Sequence, residues 1–132
     1  VLASACDLRI AAAGTRFSIP EVDLGIPLAW GGIPRLVREI GPALTRELVM
    51  TCRPFDAAEA LAAGFLNRVV AEDELDDAVE GLAGALAGKA TPALLATKRH
   101  VNAAADELAS TRHGWSDAAG LLPRAAPRRP PT

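Results

Sequence analysis

The sequence predicts an α/β chain, on three observations. Short apolar runs bounded by turn residues read as strands. Longer runs with apolar residues three and four apart read as helices, and the two kinds of segment alternate along the chain. The composition is that of a folded domain: of 132 residues half are hydrophobic, 23% are charged, and the formal net charge is −2. Such values exclude a disordered or collagen-like chain. No apolar stretch reaches the roughly 18 residues that span a bilayer. The opening residues, Val1-Leu2-Ala3-Ser4-Ala5-Cys6-Asp7, lack the basic start of a secretory leader. A cytoplasmic location is expected.

The elements follow in order. Leu8-Arg9-Ile10-Ala11 reads as a strand closed by the turn Ala13-Gly14-Thr15, and Phe17-Ser18-Ile19 as a second extended piece ended by Pro20. Residues 20–33 form a loop by their Pro and Gly content, yet they carry Val22, Leu24, Ile26, Leu28 and Trp30. An apolar, glycine-rich loop is expected to pack down and to line a pocket. Pro34 suits a first helical turn; the helix stops at Gly41, and Pro42 starts another. Leu44, Leu48, Val49 and Thr51 are expected on the apolar side of that second helix. Asp56-Ala57-Ala58-Glu59 has the spacing of a capping box, and Gly64 suits the end of the short helix behind it. Phe65–Val70 reads as a strand. The acidic turn Glu72-Asp73-Glu74 favours the start of a helix carrying Leu75, Val79, Leu82 and Leu86. Thr91-Pro92 opens a last helix through Leu94, Lys98, Val101, Ala105 and Leu108.

The chain divides into residues 1–70 with the loop, a helical region at 71–118, and a Pro/Arg-rich tail at 119–132. The tail carries +3 against −5 for residues 1–118 and is expected to be disordered. A frameshift in the coding sequence would produce the same abrupt change of composition. Alanine is the commonest residue, at 28, and Arg outnumbers Lys 12 to 2. Both counts fit a GC-rich codon bias, so Arg richness carries no function, and no nucleic-acid partner is expected.

Cys6 and Cys52 make no disulfide framework and are expected to be buried thiols in a reducing compartment. No Cys or His stands at metal-ligand spacing from His100 or His113, so no metal is expected. Glu21 is the best chemical candidate. It follows Pro20 between Ile19 and Val22, and a carboxylate in apolar surroundings serves as general acid or base near neutral pH. The plainer alternative is a solvated loop glutamate. Gly31-Gly32 before Pro34 either present N–H groups to an anion at a helix N-terminus or only form a tight turn. Trp30 reads as a core or interface anchor, or as a residue stacking on a ligand. Asp7 and Arg9 read as surface charges at a strand end. Lys98-Arg99-His100 form either a solvated face or a contact for ligand phosphates.

Taken together, the ordered motifs resemble the enoyl-CoA hydratase/isomerase, or crotonase, superfamily. They are Ala5-Cys6-Asp7-Leu8-Arg9-Ile10-Ala11, Phe17-Ser18-Ile19-Pro20-Glu21-Val22-Asp23-Leu24-Gly25 and Gly31-Gly32-Ile33-Pro34-Arg35-Leu36. Ala63-Gly64-Phe65-Leu66-Asn67-Arg68-Val69-Val70 and Thr97-Lys98-Arg99 continue the pattern. The resemblance covers about residues 1–109 and corresponds to the C-terminal half of a family chain. It implies a partial spiral of ββα turns with a helical C-terminal trimerisation region. It also implies an acyl-CoA thioester substrate, with coenzyme A part of that substrate and no separate cofactor. Family enzymes hold the thioester oxygen with two backbone N–H groups and stabilise an enolate.

Glu21 matches one of the two hydratase glutamates, and Pro20, Leu28, Ala29 and Trp30 fall where the family's substrate loop lies. Val1 aligns with the second glutamate. Leu28 stands where the family has Pro, and Ala29 where it has Gly. The segments that supply the oxyanion donors and bind adenine align upstream of Val1. The resemblance therefore implies one-base chemistry such as isomerisation and a chain inactive by itself. It also implies a trimer or hexamer of the whole protein. The alternative is a non-catalytic subunit that only oligomerises.

Overall fold

A computed structural model describes residues 1–110. Short 3-10 turns lie at Ala3–Ala5 and Glu72–Glu74; the first leads into β1 (Ile10–Ala12), then β2 (Arg16–Phe17), α1 (Gly32–Thr51), β3 (Phe55–Asp56) and α2 (Ala57–Ala62). β4 (Arg68–Val70), α3 (Leu75–Ala87) and α4 (Thr91–Leu108) complete the order. β1 pairs in parallel with β4, in the register Ile10 to Arg68 and Ala12 to Val70. β2 pairs antiparallel with β3, with Phe17 opposite Phe55. The expected tail at 119–132 and the last residues of the helical region, His113 among them, lie outside the described residues.

Local chemistry explains most element ends. α1 is two helices joined at Gly41, whose φ of 77° and ψ of 164° break the helical path. Pro42 then starts the second half, because it lacks an N–H to offer the preceding turn. The Asp56 side chain accepts the Glu59 N–H at 2.8 Å and caps α2. At the other end Gly64 turns left-handed, with φ +85°. Its N–H reaches the Leu61 carbonyl, and the Phe65 N–H reaches the Ala60 carbonyl. This is a Schellman closure, and it carries Phe65 into the core beside Ala60.

The core gathers Ala11, Leu28, Leu36, Leu48, Val49, Phe55, Ala57, Ala60, Phe65 and Leu66. α1 therefore packs over the strands and α2. The second half of α1 buries Thr45, Leu48 and Val49, with Leu44 packed beside them, and leaves Thr51 out. Thr51 is exposed, and its hydroxyl donates back to the Glu47 carbonyl. Thr45 is buried because its own hydroxyl is satisfied by the Gly41 carbonyl, at 2.7 Å. The three extended pieces are shorter than their apolar runs suggest. β3 lacks any run of its own and exists through its pairing with β2.

α3 and α4 differ from the rest. Neither contains a buried residue. Two ion pairs tie α4 to the body, Lys98 to Asp7 at 2.5 Å and Arg38 to Asp106 at 2.9 Å. Between them lies a groove of about 790 Å³, bordered by Leu8, Arg35, Leu94 and Asn102 among others. Among the described residues no helix is long and apolar enough to cross a membrane.

Candidate active site

Glu21 opens a compact turn. Its carbonyl accepts the N–H of Leu24 at 3.1 Å and of Ile26 at 3.0 Å, and Gly25 closes the turn at φ +75°. The turn puts Glu21 on the lining of a cavity of about 150 Å³ between the start of the chain, β2, β3 and the first half of α1. Phe17, Ile19, Leu28, Leu36, Phe55 and Phe65 make its apolar wall. Val1 lines the same cavity as Glu21. Ser4 and Ser18 add hydroxyls, and that of Ser4 donates to the Val1 carbonyl at 2.7 Å.

The Glu21 Oε2 atom is buried with no hydrogen-bond partner among the described residues. Folded proteins satisfy nearly all such atoms, and those left over often mark a catalytic or ligand-binding role. A carboxylate among apolar side chains has the chemistry of a general acid or base for a group brought beside it.

The other expected site residues are spread more widely. Leu28 is buried on the cavity wall and packs so closely on Gly32 that a Cβ there would stand 2.8 Å from it. Pro20 is exposed and Ala29 half-buried, and neither lines the cavity. Trp30 does not pack down: it is 83% exposed and holds a left-handed φ of 57°. The Arg35 guanidinium keeps this bend by donating to the carbonyls of Trp30 and Gly31. The Gly32 N–H donates to the Ala29 carbonyl, so it is engaged within the turn rather than offered to an anion.

Further expectations need correcting. Neither thiol is buried: Cys6 is exposed and Cys52 half-buried, because each ends a helical turn rather than lying in a strand. Lys98, Arg99 and His100 are all exposed, so this run is a solvated face, on which Lys98 pairs with Asp7.

Arg9 is no surface charge either. Its side chain is only 9% exposed and lies over the Phe65 ring, 4.6 Å from the centroid. It donates to the carbonyls of Phe65 and Cys6 and to the Glu39 carboxylate of α1. Its backbone exchanges hydrogen bonds with Asn67, its N–H reaching Oδ1 at 2.7 Å and its carbonyl accepting the Asn67 N–H at 2.8 Å. Arg9 thus fixes the Phe65 wall of the cavity. The only sequence signal for this was a lone Arg between Leu8 and Ile10. Among the described residues, no three His, Cys, Asp or Glu side chains gather as a metal site.

Comparison with known proteins places the chain in a family. A short-chain-enoyl-CoA hydratase of Clostridioides difficile is 44% identical over 100 residues, which are 76% of this chain and 64% of that protein. A crotonyl-CoA hydratase of Syntrophomonas wolfei is 40% identical over 101 residues, 76% of this chain and 39% of that protein. The chain thus spans less than two thirds of the length of these relatives. The crystal structure of an enoyl-CoA hydratase of Mycobacterium paratuberculosis superposes with a TM-score of 0.77 at 31% identity, over 91% of this chain and 54% of that one. A methylmalonyl-CoA decarboxylase bound to 2-nitronate-propionyl-CoA superposes with a TM-score of 0.73 at 36% identity, over 78% of this chain and 40% of that one. Residues 1–118 match the family described as enoyl-CoA hydratase/isomerase. With that match, the superposed strands and helices identify the chain as a member of the enoyl-CoA hydratase/isomerase family, built as part of the α/β crotonase fold.

Proposed function

We propose that this chain supplies the acid/base wall of an acyl-CoA active site, with Glu21 as the one residue that moves protons. The observation that carries this reading is the buried Oε2 of Glu21, unpartnered among the described residues, in a residue that lines an apolar cavity. In this reading Glu21 takes a proton from an acyl carbon near the thioester, or returns one. The charge left behind is delocalised onto the thioester oxygen as an enolate. Two backbone N–H groups from the part of the family fold outside residues 1–110 hold that oxygen. Each such donor is worth about 3 to 4 kcal/mol in the transition state, so residues 1–132 alone are expected to turn over little or no substrate.

Val1 faces the same cavity where hydratases of the family carry a second glutamate. A valine exchanges no proton. One-base reactions such as double-bond isomerisation therefore fit this wall better than hydration by two carboxylates. The substrate is an acyl-CoA thioester, the whole protein a trimer or hexamer, and its place the cytoplasm.

Glu21→Gln tests the reading in the whole protein assayed on enoyl-CoA thioesters. The change keeps the shape and removes the base, so turnover should fall about 10²- to 10⁴-fold. Unchanged turnover would overturn the assignment. A second reading, a non-catalytic subunit that only oligomerises, is favoured by the apolar side chains that α3 and α4 leave exposed. Intact mass from the native source, followed by sizing with a full-length family member, separates the two.

A further inference from the structure

Resting on that reading, we infer that Arg9 is a positioning residue, which holds the turn carrying Val1 in place against the elements that carry Glu21. Val1 and Glu21 line the same cavity, one from the turn at the start of the chain and the other from the loop after β2. Arg9 is not among the residues that line it. Its side chain lies behind the lining, only 9% exposed.

The turn is closed locally. The Val1 carbonyl accepts the Ala5 N–H at 3.2 Å and the hydroxyl of the buried Ser4 at 2.7 Å. The Ala3 carbonyl accepts the Cys6 N–H at 3.2 Å. Arg9 then grips the residue that ends the turn, its Nη1 donating to the Cys6 carbonyl at 2.6 Å. The same guanidinium reaches two other parts of the lining. Nε donates to the Phe65 carbonyl at 2.5 Å, and Phe65 meets Phe17 edge-on, with centroids 5.9 Å apart. Phe17 ends β2, four residues before Glu21. Nη2 pairs with Glu39, three residues beyond Leu36 of the cavity wall. A planar fork of donors suits three partners in fixed directions, whereas a Lys ammonium is a single point of charge. A misplacement of about 1 Å set up away from the reacting atoms can cost about 100-fold in rate. Arg9 thus acts on turnover through the turn it holds.

Arg9→Lys in the whole protein, checked for folding by its thermal melt, tests this with two readouts. Hydrogen exchange of the Ala5 and Cys6 amides, measured against those of Leu48 and Val49 in the core, should speed up by about tenfold or more. On enoyl-CoA thioesters kcat should fall by about 10- to 100-fold, with KM nearly unchanged. Should the Lys variant fail to fold, Arg9→Met, which keeps the packing over Phe65, takes its place with the same expectations. Unchanged exchange in the folded variant would show that Arg9 does not hold the turn. Faster exchange with unchanged kcat would show that the place of the turn does not matter to the reaction. Either result overturns the inference and leaves the acyl-CoA reading intact. A parent protein without turnover on any enoyl-CoA overturns that reading itself, whatever the amides show.

Discussion

Two side chains set the character of the cavity, and they do so in opposite ways. Glu21 keeps one buried oxygen, Oε2, without a partner among the described residues, and folded proteins satisfy nearly all such atoms. Arg9 is a charge with every direction occupied, by two carbonyls, a carboxylate and an aromatic face. Removing Arg9 leaves the half-buried Glu39 carboxylate and two carbonyls without their donor, and hydrogen bonds to charged groups contribute about 1.5 to 3 kcal/mol. Arg9→Ala should therefore destabilise the protein by about 3 kcal/mol, measured by urea unfolding. Arg9→Met, which keeps the packing over Phe65, should lose less, and Glu39→Gln beside it should restore part of the loss. An Arg9→Ala variant as stable as the parent would show that the clamp carries no weight.

Elements are set mostly by their ends. Asp56, Gly64, Gly41 and Pro42 each act within a turn of their own position, which is why the limits of α2 and the break in α1 were legible in the sequence. The link between α1 and α2 was not. Arg53 reaches forward to Glu59 and back to Glu47, joining the end of one helix to the start of the next. The hydrogen bond from Arg53 holds the Glu59 carboxyl below its ordinary value of 4.5. A lowered carboxyl contributes stability above its unfolded value and loses it as the pH falls through the folded one. Glu59→Gln should therefore lower the melting temperature at pH 7. The gap to the parent should narrow below about pH 4, near the ordinary value of a glutamate. A gap independent of pH would assign the loss to packing instead.

For the whole molecule, the packed part ends near residue 70. Beyond it, α3 and α4 expose Val79, Leu86, Leu95, Val101 and Leu108. The ion pairs that moor α4 involve exposed partners, and exposed pairs contribute at most about 1 kcal/mol each. In the separate chain, α4 amides should exchange faster than those of residues 44–51. The difference should grow in 1 M salt, where charges are screened within about 3 Å. Protection of α4 equal to that of α1 would mean that its apolar face is covered.

The sequence by itself determined the alternation of strands and helices, the kink at Gly41, the capped α2, the family and the candidate glutamate. These depend on residue type, local spacing or ordered motifs. The tertiary structure decided what depends on residues far apart. It paired Phe55 with Phe17 and so made β3 a strand, turned Arg9 inward onto Phe65 and Glu39, and left Trp30 and Cys6 outside the core. It also placed Val1 and Glu21 on one small cavity. Such contacts join positions that no local period relates, and their energy exists only once the chain has brought them together.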